Sequence, residues 1–120
     1  MSRDTRSAIA RRQKLADAVA DTMFALSAPS RVQILICLLE GPHDVSELIV
    51  SLEMQQSTVS HQLRLLRDLG LVDVTRDGRR RVYELADDQV ARLVEDAVRH
   101  VERRQTRRST ARARVKRAVL

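Results

Sequence analysis

Aromatic side chains are almost missing from this chain: Phe24 and Tyr83 are the only two in 120 residues, and there is no tryptophan. Any interior must therefore be filled by aliphatic side chains, and 120 residues allow one domain with a modest core. Cysteine is equally scarce. The single Cys37 excludes an internal disulfide and fits a reducing compartment. No apolar run is long enough to span a bilayer, and "MSRDTRS" at the start lacks the apolar core of a secretory signal. These absences point to the cytoplasm and away from a membrane. There is also no glycine-rich phosphate loop, no nucleophile–base constellation and no cluster of carboxylates at useful spacing, so an enzyme reading has nothing to stand on.

Charge is plentiful but unevenly placed. All 16 acidic residues lie at or before Glu102, where they face 14 Lys and Arg; from Arg103 onward there are eight basic residues and no acid. The body is thus about −2 and the last 18 residues +8, within a net charge of +6. A partner of negative charge must be judged from local clusters rather than from the whole-chain value. The composition divides the chain into a folded part, 1–102, and a basic tail, 103–120, expected to be flexible and suited to non-specific attraction to phosphate; the alternative is that the final helix extends for some turns into it.

Leu15, Val19, Met23 and Leu26 repeat on one helical face within a first segment from about Thr5 to Ser27. Pro29 suits the first turn of a second helix, apolar on nearly every side from Val32 to Leu39 and stopped by Gly41-Pro42. Cys37, in the middle of that run, reads as inert packing, and His43 beyond it as a solvated turn residue. Asp44 and Glu47 have the spacing of a capping box at the start of a short third helix ending near Leu52. Val59, Leu63, Leu66 and Leu69 mark the inner face of a fourth, closed by Gly70. "LVDVTRDGRRRVYEL" reads as two strands about an Asp77-Gly78 turn. Val90, Leu93, Val94, Ala97, Val98 and Val101 then line one face of a long amphipathic helix.

The third and fourth helices, joined by a tight turn, make a helix-turn-helix, and the hairpin behind them makes it winged. The fold class is mainly α: five helices and a two-stranded wing. On the fourth helix, small hydroxyl and amide groups crowd the N-terminal end, where such a helix approaches base edges in the major groove. Gln56, Ser57, Ser60, His61 and Arg64 stand away from the apolar face. Gln55, at the expected cap position, is not a preferred capping residue, so punctuation alone does not account for the cluster. Arg76, Arg79, Arg80 and Arg81 surround the hairpin turn, with Tyr83 and Leu85 alternating inward; the arginines suit a phosphate or minor-groove grip.

Three stretches, "FALSAPSRVQIL", "SELIVSLEMQQSTVSHQLRLLRDLGLV" and "RDGRRRVYEL", resemble in order the ArsR/SmtB family of bacterial winged-helix regulators, over about residues 20 to 102. The resemblance implies a homodimer on double-stranded operator DNA, with Gln56, Ser57, Ser60 and His61 at DNA-contacting positions. It also implies that the first and last helices pair across the two-fold axis, a role suited to Leu15, Val19, Met23, Val90, Leu93, Val94, Ala97 and Val101. Many members of the family respond to a transition-metal ion, such as nickel or zinc. Of the family's two metal positions, the one on the third helix falls here on Ile49 and Ser51, neither a soft ligand. The one on the last helix falls on Asp87, Gln89, His100 and Arg103. Asp87 and His100 remain candidates there, but Gln89 is a poor ligand and Arg103 a permanent cation. The degraded set leaves room for a separate metal-sensing partner protein, and either activation or repression fits the same contacts.

Overall fold

A computed structural model describes residues 2–119. The chain divides into two compact units, one up to Ala86 and one from Asp87 on. The first contains α1 (Arg3–Ala25), α2 (Pro29–Leu38), β1 (His43–Asp44), α3 (Val45–Leu52), α4 (Gln56–Asp68), β2 (Val72–Asp77) and β3 (Arg80–Leu85); the second is α5 (Asp88–Val119).

Local chemistry sets the ends of these elements. Ser2 caps α1 by accepting from the Thr5 amide, and Pro29 opens α2 at a position where its missing N–H costs nothing. At α3 the capping box is complete: Asp44 accepts from the Glu47 amide at 2.8 Å, and the Glu47 carboxylate accepts from the Asp44 amide at 3.1 Å. The tight turn into α4 is made by Glu53 in the left-handed region (φ 51°). Gln55 precedes α4 without any side-chain cap. The far end of α4 closes in a Schellman pattern: Leu71 N–H donates to Leu66 C=O and Gly70 N–H to Arg67 C=O. Gly70, at φ 76°, supplies the left-handed residue that pattern requires.

The sheet has three strands rather than two. β1 pairs antiparallel with β3 (His43 opposite Tyr83), giving the order β1-β3-β2. A two-residue strand carries no periodicity, which is why His43 reads as a turn residue from sequence alone. The hairpin turn also falls one residue later than expected. Asp77 pairs with Arg80, so the turn residues are Gly78 and Arg79. Only Gly78 has a positive φ, the sign pattern of a type II′ turn.

Ile34, Leu35, Leu48, Val59, Leu63 and Leu66 are fully buried, joined by Leu38, Leu71, Val72 and Tyr83. This aliphatic core fixes the spacing of α2, α3, α4 and the sheet but is non-directional. Ile36 is 41% exposed, so α2 is less enclosed than its composition suggests. Arg31 is the one buried charged residue among those described. Its guanidinium donates to the carbonyls of Phe24 (2.9 Å) and Ala25 (3.1 Å) at the end of α1, and to the Gln62 side-chain oxygen on α4 (3.2 Å). It also lies 4.8 Å from the centre of the Phe24 ring.

α1 buries only Ala25. α5 is one continuous helix that passes through the basic segment expected to be a flexible tail. Arg, Ala, Lys and Gln are good helix formers, and neither Gly nor Pro occurs after Gly78 to interrupt it. No boundary therefore appears in the backbone at Glu102. No helix among the described residues is long and apolar enough to cross a membrane.

Removing the Arg31 guanidinium leaves helix-end carbonyls and the Gln62 amide without their donor in a buried place. Arg31→Ala should lower unfolding stability by about 2–4 kcal/mol in urea titration. Arg31→Lys should recover little of it, because one ammonium cannot reproduce the planar fork. A lysine variant as stable as the parent would contradict this role.

Candidate nucleic-acid interface

α4 presents its outer face through its own amphipathicity. Val59, Leu63 and Leu66 point inward, while Gln56, Ser57, Ser60, His61 and Arg64 are all exposed, as their sequence positions suggest. At about 100° per residue, Arg67 falls on the same outer arc and extends it toward the helix end. Sequence reasoning missed Arg67; its spacing of three from Arg64 and seven from Ser60 was the available signal. Gln62, adjacent to the arc, is half-buried and accepts from Arg31 at 3.2 Å, which ties α4 to the end of α1.

The wing joins this face. An open groove is lined by Ser46 of α3, Gln56 and Ser60 of α4, and Arg79, Arg80 and Arg81 of the wing, with Asp44 and Val45 along one side. Residues of three separate elements thus converge on one surface. Ser46, at the N-terminal turn of α3, is an additional small hydroxyl that no helix periodicity singled out.

The wing arginines are not equivalent. Arg80 turns back: its Nε donates to Asp44 at 2.8 Å and its Nη2 to Glu47 at 3.0 Å. It fastens the wing to the capping box of α3, and its charge is already answered. Arg76 and Arg81 sit directly opposite one another across β2 and β3, and neither forms an ion pair among the described residues. Like charges facing across a sheet repel, and an anion between them relieves that repulsion. Arg79 occupies the turn and is exposed.

The family's metal positions do not fit a metal centre here. Ile49 and Ser51 of α3 offer no soft ligand. Asp87 spends one carboxylate oxygen accepting from the Val90 amide at 2.9 Å, as a helix cap; Gln89, His100 and Arg103 are exposed along α5. Of the residues expected at a dimer seam, Leu15 (65%), Val19 (43%), Met23 (54%) and Val101 (49%) are exposed apolar side chains, and Ala97 is exposed as well. Leu93 is half-buried, whereas Val90 and Val94 are already buried in the single chain.

His43 departs from its sequence reading, whereas Cys37 is buried in the core as its reading implies. His43 is half-buried in β1, with Nδ1 on the Gly41 carbonyl at 2.7 Å and Nε2 3.8 Å from Cys37 Sγ. Burial pushes the Cys37 thiol above its ordinary range, and the nearby Glu40 and Glu47 carboxylates push it further.

This arrangement of a small-polar recognition helix, a basic hairpin and a helix-turn-helix core defines a winged helix-turn-helix protein. Residues 28–74 match the family described as bacterial regulatory protein, arsR family. The chain is 51% identical over 84 residues to the HTH-type transcriptional regulator NmtR of Mycobacterium tuberculosis, a match covering 70% of each chain. It is 40% identical over 83 residues to the cadmium resistance transcriptional regulatory protein CadC homolog of Staphylococcus aureus, covering 68% of this chain and 69% of that one. A homodimeric winged helix-turn-helix DNA-binding domain from Mycobacterium bovis, solved as fragment 1–100, aligns with a TM-score of 0.75 at 33% identity, covering 79% of this chain and 88% of that one. The chain belongs to the arsR family of bacterial regulatory proteins.

The Asp44–Glu47–Arg80 network has a pH signature. The Glu47 amide, and after it the Arg80 guanidinium, hold the Asp44 carboxyl below the usual carboxylate range. A group with a depressed folded pKa stabilises above its unfolded value, about 3.9, and that contribution is lost as pH falls through the lowered value. Asp44→Asn should lower the thermal midpoint at pH 7, and its gap to the parent should close as the pH falls below about 4. A gap that stays constant across a pH series of melting curves would show that the charge on Asp44 contributes nothing.

Proposed function

We propose that this chain is a DNA-binding transcriptional regulator that acts, in the cytoplasm, as a homodimer on an inverted-repeat operator. The reading is carried by one observation: Gln56 and Ser60 of α4 share an open groove with Arg79, Arg80 and Arg81 of the wing. Small polar groups that can reach base edges therefore stand beside cations that can hold the flanking phosphates. α4 enters the major groove, with Gln56, Ser57, Ser60 and His61 toward the bases and Arg64 toward the backbone. In the wing, Arg76, Arg79 and Arg81 supply the phosphate grip, while Arg80 chiefly positions the wing. The all-basic end of α5 adds attraction that carries no sequence information.

Ser60→Ala and His61→Ala should each weaken binding to the specific site by about 1–3 kcal/mol, with little change on unrelated DNA. Arg76→Ala and Arg81→Ala should weaken binding to all sequences and lower the slope of log affinity against log salt by about 1 each. Fluorescence anisotropy on promoter and scrambled duplexes separates the two patterns. Parent-like binding by both Ser60→Ala and His61→Ala would move the contact face elsewhere.

Dimerisation draws support from the exposed apolar stripe Leu15, Val19 and Met23, spaced four apart on a helix that buries little else. The M. bovis domain, which aligns over 79% of this chain, is homodimeric. Leu15→Glu with Met23→Glu should convert the dimer to a monomer in sedimentation velocity and remove most operator affinity, since two half-sites are then read separately. A double variant that still sediments as a dimer would exclude α1 from the interface.

A response to a transition metal accompanies this reading, and the relative named for cadmium resistance supports it.

A further inference from the structure

Cys37 near the end of α2, Glu40 just past it and His43 in β1 recur every third residue and bring one ligand atom each within 4.8 Å of one another. None of the three lies at a metal position discussed above. The geometry points to a cation site at Cys37, Glu40 and His43 that takes a zinc-class divalent ion through one sulfur, one carboxylate oxygen and one imidazole nitrogen.

The histidine is already oriented for this. A carbonyl can only accept, so the 2.7 Å contact with the Gly41 oxygen places the proton on Nδ1. In the neutral ring that leaves the Nε2 lone pair free, and it is Nε2 that lies 3.8 Å from Cys37 Sγ. A tetrahedral zinc ion, with bonds of about 2.3 Å to sulfur and about 2.05 Å to nitrogen, would hold those two atoms about 3.6 Å apart. The pair is therefore close to a metal's bite, and its outer hydrogen bond is of the kind that fixes metal-bound histidines.

Glu40 is exposed and can swing toward the pair with little cost. An open groove lined by Gln33, Cys37, Glu40 and Ser51 gives an ion a way in and leaves a fourth position to water. Glu40 and Glu47 make the surroundings negative. The site also lies where it could be felt: His43 pairs with Tyr83 of β3, and the next residue, Asp44, holds Arg80 of the wing.

The test uses the full-length chain in a thiol-free reducing buffer, titrated with cobalt(II) as the probe. Cys37 is the only cysteine, so a thiolate-to-cobalt charge-transfer band in the near ultraviolet can only report its ligation. The expected result is that band together with strong tetrahedral visible bands, saturating at one ion per chain, with zinc displacing the cobalt. Glu40→Gln, at an exposed position that does not threaten folding, and His43→Ala should each weaken cobalt binding by more than about tenfold. His100→Ala should leave it unchanged. Circular dichroism confirms that the variants fold. Absence of the charge-transfer band would overturn the assignment, as would affinities unaffected by both Glu40→Gln and His43→Ala, or binding lost with His100→Ala. None of these readouts involves DNA, so the outcome is independent of whether the proposed operator contacts hold.

Discussion

The guanidinium of Arg31 is the directional contact that ties α4 to the end of α1. The aliphatic core holds α2, α3 and α4 together, and the buried Val59, Leu63 and Leu66 set which face of α4 turns outward. Arg31 adds a directional tie, gripping the last carbonyls of α1 with one edge and the Gln62 amide of α4 with another. Gln56, Ser60 and His61, opposite the buried face, are exposed. A charge buried without an acid is stable here because every strong donor direction used meets an oxygen, and the oxygens at a helix C-terminus carry the negative end of its dipole.

A second directional contact does for the wing what Arg31 does for α4. Arg80 binds both members of the α3 capping box, so a motif that begins as helix punctuation also becomes the anchor of a distant hairpin. This divides the arginine cluster by role. Arg80 is held within the subunit, while Arg76 and Arg81 face each other with their charges unanswered. The position of the wing and its unpaired positive charge thus come from different residues.

Features with a repeating or local signature were legible in the sequence. The inner face of α4, the capping box at Asp44 and Glu47, the absence of a cap at Gln55 and the long amphipathic run of α5 follow from spacings of three to four residues. Features that depend on distant partners were not. Arg31 looks like any helix arginine until the carbonyls six and seven residues earlier and Gln62 thirty-one residues later are placed around it. Arg80 looks like its neighbours Arg79 and Arg81 until β1 and β3 pair. β1 is too short to show alternation, so the approach of His43 to Cys37 had no signal beyond a spacing of six. Composition left a flexible tail or an extended final helix open after Glu102, and α5 runs on as one helix through Val119.

In the proposed dimer, two copies of one face, α4 with its wing, read DNA together. Hydroxyl-radical footprinting of the unmodified protein on its own promoter tests it most directly. Two protected half-sites are expected on the same side of the duplex, their centres about one helical turn (about 34 Å) apart, each flanked by weaker protection where the wing lies. A single protected patch, or protection spread evenly without regard to sequence, would contradict it.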